Sequence, residues 1–137
     1  MRLLIDTNII LDILMAREPY YKDSAQISKL CETSIAEGHI STLTFANLAY
    51  IMRKELNPEK LENVLKTLSL LYRFEDLTAT DINTAASLKW DDFEDAMQAS
   101  IARRIHSDYI ITRNVKDFKN SKVMALTPSE LLARIDL

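Results

Sequence analysis

The segment LLIDTNIILD, residues 3–12, decides the fold of this chain. It begins with three apolar residues, reaches a carboxylate at Asp6, and continues into a second apolar segment with helical spacing. This pattern predicts a buried strand that passes into a helix, with Asp6 at the junction. In a parallel α/β sheet, ligands gather at the carboxyl ends of the strands. Because a lone buried carboxylate costs several kcal/mol, we expect Asp6 to have a partner there, most simply a metal ion.

The composition predicts one globular domain over residues 1–137, since 47% of the residues are hydrophobic and 27% are charged. The one Gly and three Pro favour helices joined by short connections. The single cysteine, Cys31, allows no internal disulfide. No segment is typical of a membrane span or a signal peptide, so we expect a cytoplasmic protein without membrane contact. The net charge of −3 argues against a general nucleic-acid coat protein but allows an enzyme with a local basic rim.

Short apolar segments alternate with helical patterns, which predicts an α/β protein with a parallel sheet of about five strands flanked by helices. We expect strands near residues 2–5, 39–42, 74–77, 109–112 and 123–126. We expect helices near residues 8–15, 21–37, 45–55, 58–71, 80–89 and 92–106, and from residue 128 onward. Gly38 is expected to cap the second helix in a left-handed conformation, and Thr44 and Thr80 to cap the third and fifth helices.

A second group of acids opens the helix predicted near residues 92–106, in the segment DDFEDA, residues 91–96. Asp91 and Glu94 have the spacing of a capping box, and acids suit the positive end of a helix dipole. Asp92 and Asp95 lie three residues apart on one helix face. The segment therefore presents at least one more carboxylate than capping requires, and Asp95 is the stronger candidate for a functional role.

A third acid follows the strand predicted near residues 109–112, in the segment YIITRNVKDF, residues 109–118. One interpretation is an ordinary turn, in which Asn114 is left-handed and Asp117 caps a short helix. The other is that Asp117 converges with Asp6 and Asp95 at one edge of the sheet. Converging carboxylates are the ligands that Mg²⁺ or Mn²⁺ prefers. The two histidines, His39 and His106, stand apart in the sequence and are expected in loops or at the surface, so zinc is not indicated.

These segments, in this order, resemble the PIN-domain nucleases and are most similar to VapC-like toxins of bacterial toxin–antitoxin pairs. The resemblance covers essentially the whole chain and rests on residues 4–9, 41–44, 94–96 and 111–118. It implies a three-layer α/β/α fold with a central parallel sheet. It also implies an endoribonuclease in which four acids bind one or two Mg²⁺ or Mn²⁺ ions and RNA phosphodiester bonds are hydrolysed.

The resemblance implies roles for individual residues. Asp6 matches the first acid of the family, Asp95 the third and Asp117 the fourth, so these three would hold the metal ion. Asn47 stands where the family usually has Glu. Its amide can donate an oxygen to a metal or orient a water, but it brings no charge. We therefore expect a catalytic set of Asp6, Asp95, Asp117 and Asn47, with weaker metal binding and one ion in place of two.

Supporting polar groups are expected around those ligands. Asp92 would orient water or, like Glu94, replace the missing acid. Asn114 stands where some family members have another acid. The remaining supporting side chains implied by the resemblance are Thr7, Asn8 and Thr112.

A basic rim and protein partners complete the expectation. Arg113 and Lys116 flank Asp117 and are the candidate contacts for RNA phosphates, Arg113 foremost. The resemblance further implies a homodimer held inactive by a small antitoxin protein. Asn47 leaves open a second interpretation, a PIN-fold RNA- or protein-binding module with a weakened or inactive metal site. An α/β enzyme that uses Asp6 as a phospho-acceptor and a purely structural domain are weaker alternatives.

Overall fold

The computed structural model describes residues 1–135. Residues 136 and 137, which belong to the predicted domain and to its last predicted helix, lie outside the described residues. The strands are β1 (Arg2–Ile5), β2 (Glu37–Ser41), β3 (Arg73–Glu75), β4 (Tyr109–Ile111) and β5 (Met124–Leu126). The helices are α1 (Thr7–Leu14), α2 (Tyr21–Glu32), α3 (Thr42–Ile51), α4 (Pro58–Leu71), α5 (Ala79–Leu88), α6 (Phe93–Arg104) and α7 (Pro128–Arg134). A 3₁₀ turn, Val115–Phe118, follows β4. No helix within residues 1–135 is long and apolar enough to cross a membrane.

The five strands form one parallel sheet in the order β3-β2-β1-β4-β5, with β1 at its centre. Leu3 and Ile5 of β1 belong to an apolar cluster with residues of α1, α2 and α4, whereas Leu4 belongs to a cluster with residues of α6. The two clusters lie on opposite faces because successive side chains of a strand alternate across the sheet. Helices therefore cover both faces, and the predicted three-layer α/β/α fold with a five-stranded parallel sheet is confirmed.

The strand order creates a crevice at the carboxyl edge of the sheet. The chain builds β2 and β3 on one side of β1 and then returns to build β4 and β5 on the other side. Ligand crevices form at such a switch point, between the carboxyl ends of adjacent strands. Asp6 directly follows β1, and Thr112 directly follows β4. The fold therefore places these two polar residues at the mouth of the crevice.

The end of α2 differs from the prediction. The helix stops at Glu32, and Ser34 takes the left-handed conformation (φ 62°) that was expected at Gly38. Gly38 lies inside β2 and has no positive φ. A Cβ atom there would stand only 2.7 Å from Cys31 Sγ and 2.7 Å from Tyr72 Cδ1. The chain thus needs this glycine for close packing against its neighbours.

Three predicted helix caps also lie elsewhere. Ser41 caps α3 in place of Thr44, Thr78 caps α5 in place of Thr80, and Asp92 caps α6 in place of Asp91. Each true cap has an extended backbone, which lets its side chain accept a hydrogen bond from an N–H of the first helical turn. In each case the predicted and the observed cap are nearby residues with similar side chains, so the local sequence does not distinguish them.

The expectation that His39 lies in a loop or at the surface is wrong. His39 is a buried residue of β2, and its ring nitrogens lie 2.6 Å from Glu75 Oε1 and 2.7 Å from Glu37 Oε1. Glu75 belongs to the neighbouring strand β3, so the imidazole joins two strands of the sheet. His106 is exposed and follows α6, as expected.

Candidate active site

Asp6 is fixed at the centre of the site by three hydrogen bonds. Its backbone N–H donates to the carbonyl of Ile111 (2.9 Å), which joins it to the end of β4. Its carboxylate accepts from the Thr7 N–H (2.8 Å) and from the Thr112 hydroxyl (2.8 Å). Burial raises the pKa of Asp6, and the bonds from Thr112 and Thr7 only partly offset it. The side chain of Asp6 is therefore held in one orientation, but its hydrogen bonds do not fully offset the cost of burying its negative charge.

Next to Asp6, a chain of buried polar side chains connects three helices of the site. The hydroxyls of Thr7 and Thr44 share a hydrogen bond of 3.0 Å, and the Gln98 amide donates to Thr44 Oγ1 at 3.3 Å. All three residues are buried. Thr7 lies in α1, Thr44 in α3 and Gln98 in α6, so the chain fixes the relative positions of the helices that carry the site. Sequence reasoning did not select Gln98, whose partner lies 54 residues earlier.

The N-cap and first turn of α6 contribute three acids. Asp92 accepts the Asp95 N–H (3.0 Å) and so acts as the helix cap. Asp95 is buried at the base of the turn. Glu94, which the sequence assigned first to a capping box with Asp91, instead accepts a hydrogen bond of 2.8 Å from the Asn47 amide. This hydrogen bond supports the alternative in which Glu94 replaces the missing acid of the site.

These residues line an open cleft of about 300 Å³, which we call the carboxylate cleft. Its wall includes four acids, and Asn8, Asn47 and Asn114 contribute amide groups. No lysine or arginine belongs to the wall among the described residues. Tyr50 and Ile51 of α3 complete the rim of the cleft. The sequence analysis did not assign them to the site, although residues 47, 50 and 51 are spaced to lie on one helix face. The acids of the wall are Asp6, Asp92, Glu94 and Asp95, and Thr7 and Asn8 lie beside them.

The crowding of like charges perturbs the acids of the cleft. Burial raises the pKa of Asp95 to about 7, and the charges of Asp6, Asp92, Asp117 and Glu94 act in the same direction. Burial, Asp6 and Asp92 also raise the pKa of Glu94, against the hydrogen bond from Asn47. Acids in such surroundings favour either protonation or a bound cation.

The raised pKa of Asp95 predicts a pH-dependent stability of the metal-free protein. Because the folded state holds a proton that the unfolded chain releases near pH 4, the free energy of unfolding should fall as pH rises from about 4 to about 7. In EDTA at pH 8, Asp95→Asn should therefore raise the free energy of unfolding by roughly 1–3 kcal/mol. This range is smaller than the full pKa shift would give, because solvent in the open cleft screens the charges. At pH 5 the gain should be much smaller. Urea unfolding of both proteins at the two pH values measures the difference, and an equal effect at both would contradict it.

The structure separates Asp117 from the wall of the carboxylate cleft. Asp117 is exposed in the 3₁₀ turn and lines a neighbouring cleft, although its charge still acts on Asp95. Asn114, and not Asp117, lines the carboxylate cleft from this segment. The backbone N–H of Asn114 donates to Thr112 Oγ1 (3.0 Å). Of the three predicted metal ligands, Asp6 and Asp95 line the carboxylate cleft and Asp117 does not.

Arg113 lies in an ion pair on the other side of this segment. Its Nε is 2.9 Å from Oδ2 of Asp12, a completely buried carboxylate, and its guanidinium carbon is 4.1 Å from the ring centroid of Tyr20. Arg17 stands 3.8 Å from the other oxygen of Asp12. Burial raises the pKa of Asp12 despite the two arginines. Arg113 therefore supplies a cation that the buried Asp12 needs, and its role as a phosphate contact stays a prediction.

The donor set of the carboxylate cleft fits a hard divalent cation. The available groups are carboxylate and amide oxygens, and no basic side chain in the described wall neutralises them. Within residues 1–135, no three His, Cys, Asp or Glu side chains are grouped so as to hold one ion by themselves. Mg²⁺ commonly uses only one or two protein carboxylates and keeps several waters. Asp6 and Asp95 are the two buried acids that match this requirement.

Comparison with known proteins gives one family. A family model described as PIN domain matches residues 2–116. Comparison with curated protein sequences finds no match.

Several solved structures share the fold. A toxin–antitoxin complex from Klebsiella pneumoniae is 22% identical, with 92% of this chain and 97% of that chain covered and a TM-score of 0.71. VapBC-1 from nontypeable Haemophilus influenzae is 18% identical, with coverages of 94% and 99% and a TM-score of 0.70. VapC20 from Mycobacterium tuberculosis, a sarcin–ricin loop cleaving toxin, is 15% identical, with coverages of 79% and 86% and a TM-score of 0.62. At these identities, the similarity shows a common fold.

Proposed function

Because the chain belongs to the PIN domain family, we propose that it is a metal-dependent endoribonuclease of the VapC-like toxin type. The observation that carries the proposal is the carboxylate cleft, where buried acids meet at a strand switch point without a basic residue in the described wall. The cleavage of RNA by a toxin of the same fold, VapC20, supports the substrate class. Such a nuclease would act in the cytoplasm, where RNA is available.

The residues of the cleft have distinct tasks in this proposal. Asp6 and Asp95 would hold Mg²⁺ or Mn²⁺, with Asp117 contributing from the neighbouring turn. When bound, such an ion activates water and stabilises negative charge on the phosphoryl oxygens and the leaving group. Thr7 and Thr112 keep the Asp6 carboxylate in a fixed orientation through their hydrogen bonds.

Glu94 and Asn47 form the second part of the site. The amide of Asn47 holds one oxygen of Glu94 at 2.8 Å, which keeps this acid at the cleft. Because the pKa of Glu94 is raised by burial and by the neighbouring acids, its carboxylate is a better proton acceptor than an ordinary Glu. Asn47 is thus a positioning residue, and the pair compensates for the absence of an acid at position 47.

We also propose a small antitoxin protein as partner and a homodimer as the assembly. The partner is supported by the solved complexes of the same fold, which are toxin–antitoxin pairs. Tyr50 and Ile51 are 68% and 43% exposed at the rim of the cleft, and Leu70 of α4 is 85% exposed. Apolar groups exposed to this extent suit protein contacts.

A cleavage assay tests the proposed activity. Purified protein is incubated with a mixture of structured RNAs in Mg²⁺, in Mn²⁺ or in excess EDTA. We expect endonucleolytic products in either metal and none in EDTA. Cleavage that persists in EDTA would contradict the metal-dependent mechanism.

Asn47 supports a second candidate function, an RNA-binding module that does not cleave RNA. Its amide adds no charge, and the described acids form no complete ligand set. A folded protein that binds RNA but leaves it intact in both metals would favour this candidate.

A further inference from the structure

A second and larger cleft adjoins the carboxylate cleft. Its volume is about 910 Å³, and Asp92 belongs to the walls of both clefts. The connection between α5 and α6 forms one side, where Lys89 ends α5 in a left-handed conformation (φ 57°) and Trp90 follows. The 3₁₀ turn after β4 forms the other side, with Lys116 and Lys119. We call this surface the lysine–tryptophan cleft.

The three lysines of this cleft are available for a ligand. Lys89, Lys116 and Lys119 are all exposed. None of them lies within ion-pairing distance of a carboxylate in the part of the chain that the structure describes. Unpaired ammonium groups at such an edge attract phosphate groups.

Trp90 is held in place by the core while it lines the cleft. Its ring packs at 85° to Phe118, with 6.1 Å between the ring centroids. Phe118 is buried, so this contact fixes the indole from the protein side. A fixed aromatic ring beside unpaired cations is the usual arrangement for binding single-stranded nucleic acid, where bases stack and phosphates pair.

Three acids, Asp91, Asp92 and Asp117, also line this cleft. Asp92 belongs to the carboxylate cleft as well, so it marks the end at which the two clefts meet. RNA bound along the lysine–tryptophan cleft would therefore lead directly to the carboxylate cleft.

We propose that the lysine–tryptophan cleft binds a single-stranded segment of RNA next to the phosphate that enters the carboxylate cleft, with one base stacked on Trp90. The inference rests on the proposed nuclease function, because it names the form of RNA that the site accepts. Lys116, a phosphate contact predicted from the sequence, keeps that role, and Lys89 and Lys119 join it.

Fluorescence of the full chain tests this inference, because Trp90 is the only tryptophan. The probe is an eight-nucleotide 2′-O-methyl oligouridylate in EDTA, so that no cleavage occurs. We expect quenching of Trp90 fluorescence that saturates with the oligonucleotide. A duplex of the same length should quench much less.

Variants test the two kinds of contact separately by fluorescence anisotropy of a labelled oligonucleotide. Lys116→Gln and Lys119→Gln should each reduce the slope of log affinity against log salt by about 0.7, whereas Lys60→Gln on the distant helix α4 should leave it unchanged. Trp90→Leu should weaken binding by about tenfold or more, and Trp90→Phe should retain most of it, since Phe still stacks. The exposed lysine variants keep the test valid if Trp90→Leu misfolds.

The outcomes separate this inference from the proposed function. Cleavage that depends on metal, without quenching of Trp90 and with unchanged salt slopes, overturns the inference and leaves the nuclease intact. Preference for the duplex also overturns it. Quenching and reduced slopes in a protein that never cleaves RNA support the binding cleft and contradict the nuclease.

Discussion

Asp95→Asn is expected to lower metal-dependent RNA cleavage by about 100-fold or more, because it removes one of the two buried carboxylates of the cleft. The amide keeps the size of the side chain. The helix cap is also preserved, since Asp92 accepts from the backbone N–H of residue 95 and not from its side chain. The loss should therefore occur in a fully folded protein.

A matched control is available at Asp76. Asp76→Asn makes the same chemical change at an exposed position that lies in neither the carboxylate cleft nor the lysine–tryptophan cleft. Its cleavage rate should stay within about threefold of the unchanged protein, an energy difference of less than 1 kcal/mol. Initial rates on one structured RNA measure both variants. Full cleavage activity in Asp95→Asn would contradict the proposed role of Asp95 as a metal ligand.

Arg113→Leu is expected to destabilise the protein by about 3 kcal/mol, because it leaves the buried carboxylate of Asp12 without its nearest cation. Arg17, at 3.8 Å, compensates only in part. The melting temperature should fall by roughly 10 °C. Asp12→Leu combined with Arg113→Leu should recover most of the loss, since the pair is then replaced by apolar groups.

The control for this prediction is Arg103→Leu, which removes an exposed guanidinium that forms no ion pair among the described residues. It should change the free energy of unfolding by less than about 0.5 kcal/mol. Urea unfolding of the unchanged protein and of the three variants measures these differences. If Arg113→Leu is as stable as the control and instead weakens RNA binding with a reduced salt dependence, then Arg113 is a phosphate contact after all.

The sequence predicts those features that depend on neighbouring residues. The strand and helix around Asp6 are read from one ten-residue segment, and all five strands fall within two residues of their predicted starts. The position of Asp95 follows similarly from the acids at the beginning of α6. Local pattern fails where adjacent residues are chemically alike, as with Asp91 and Asp92, either of which can cap a helix.

Tertiary contacts account for the remaining differences. Arg113 pairs with Asp12, and Asn47 bonds to Glu94, across sequence separations that no local pattern reveals. Gly38 shows the same limit, because the reason for a glycine there is the side chains of Cys31 and Tyr72 that pack against it. The polar residues could be selected from the sequence, but their partners required the fold.

Direct binding of Mn²⁺ to the protein at pH 7.5, measured from the electron paramagnetic resonance signal of the free ion, tests the central claim that the carboxylate cleft is a metal site. We expect the unchanged protein and Asp76→Asn to bind the ion with equal affinity. Asp95→Asn should bind it at least about tenfold more weakly, because it lacks one of the two buried acids. Equal Mn²⁺ affinity in all three proteins would show that the ion binds elsewhere and would contradict the account.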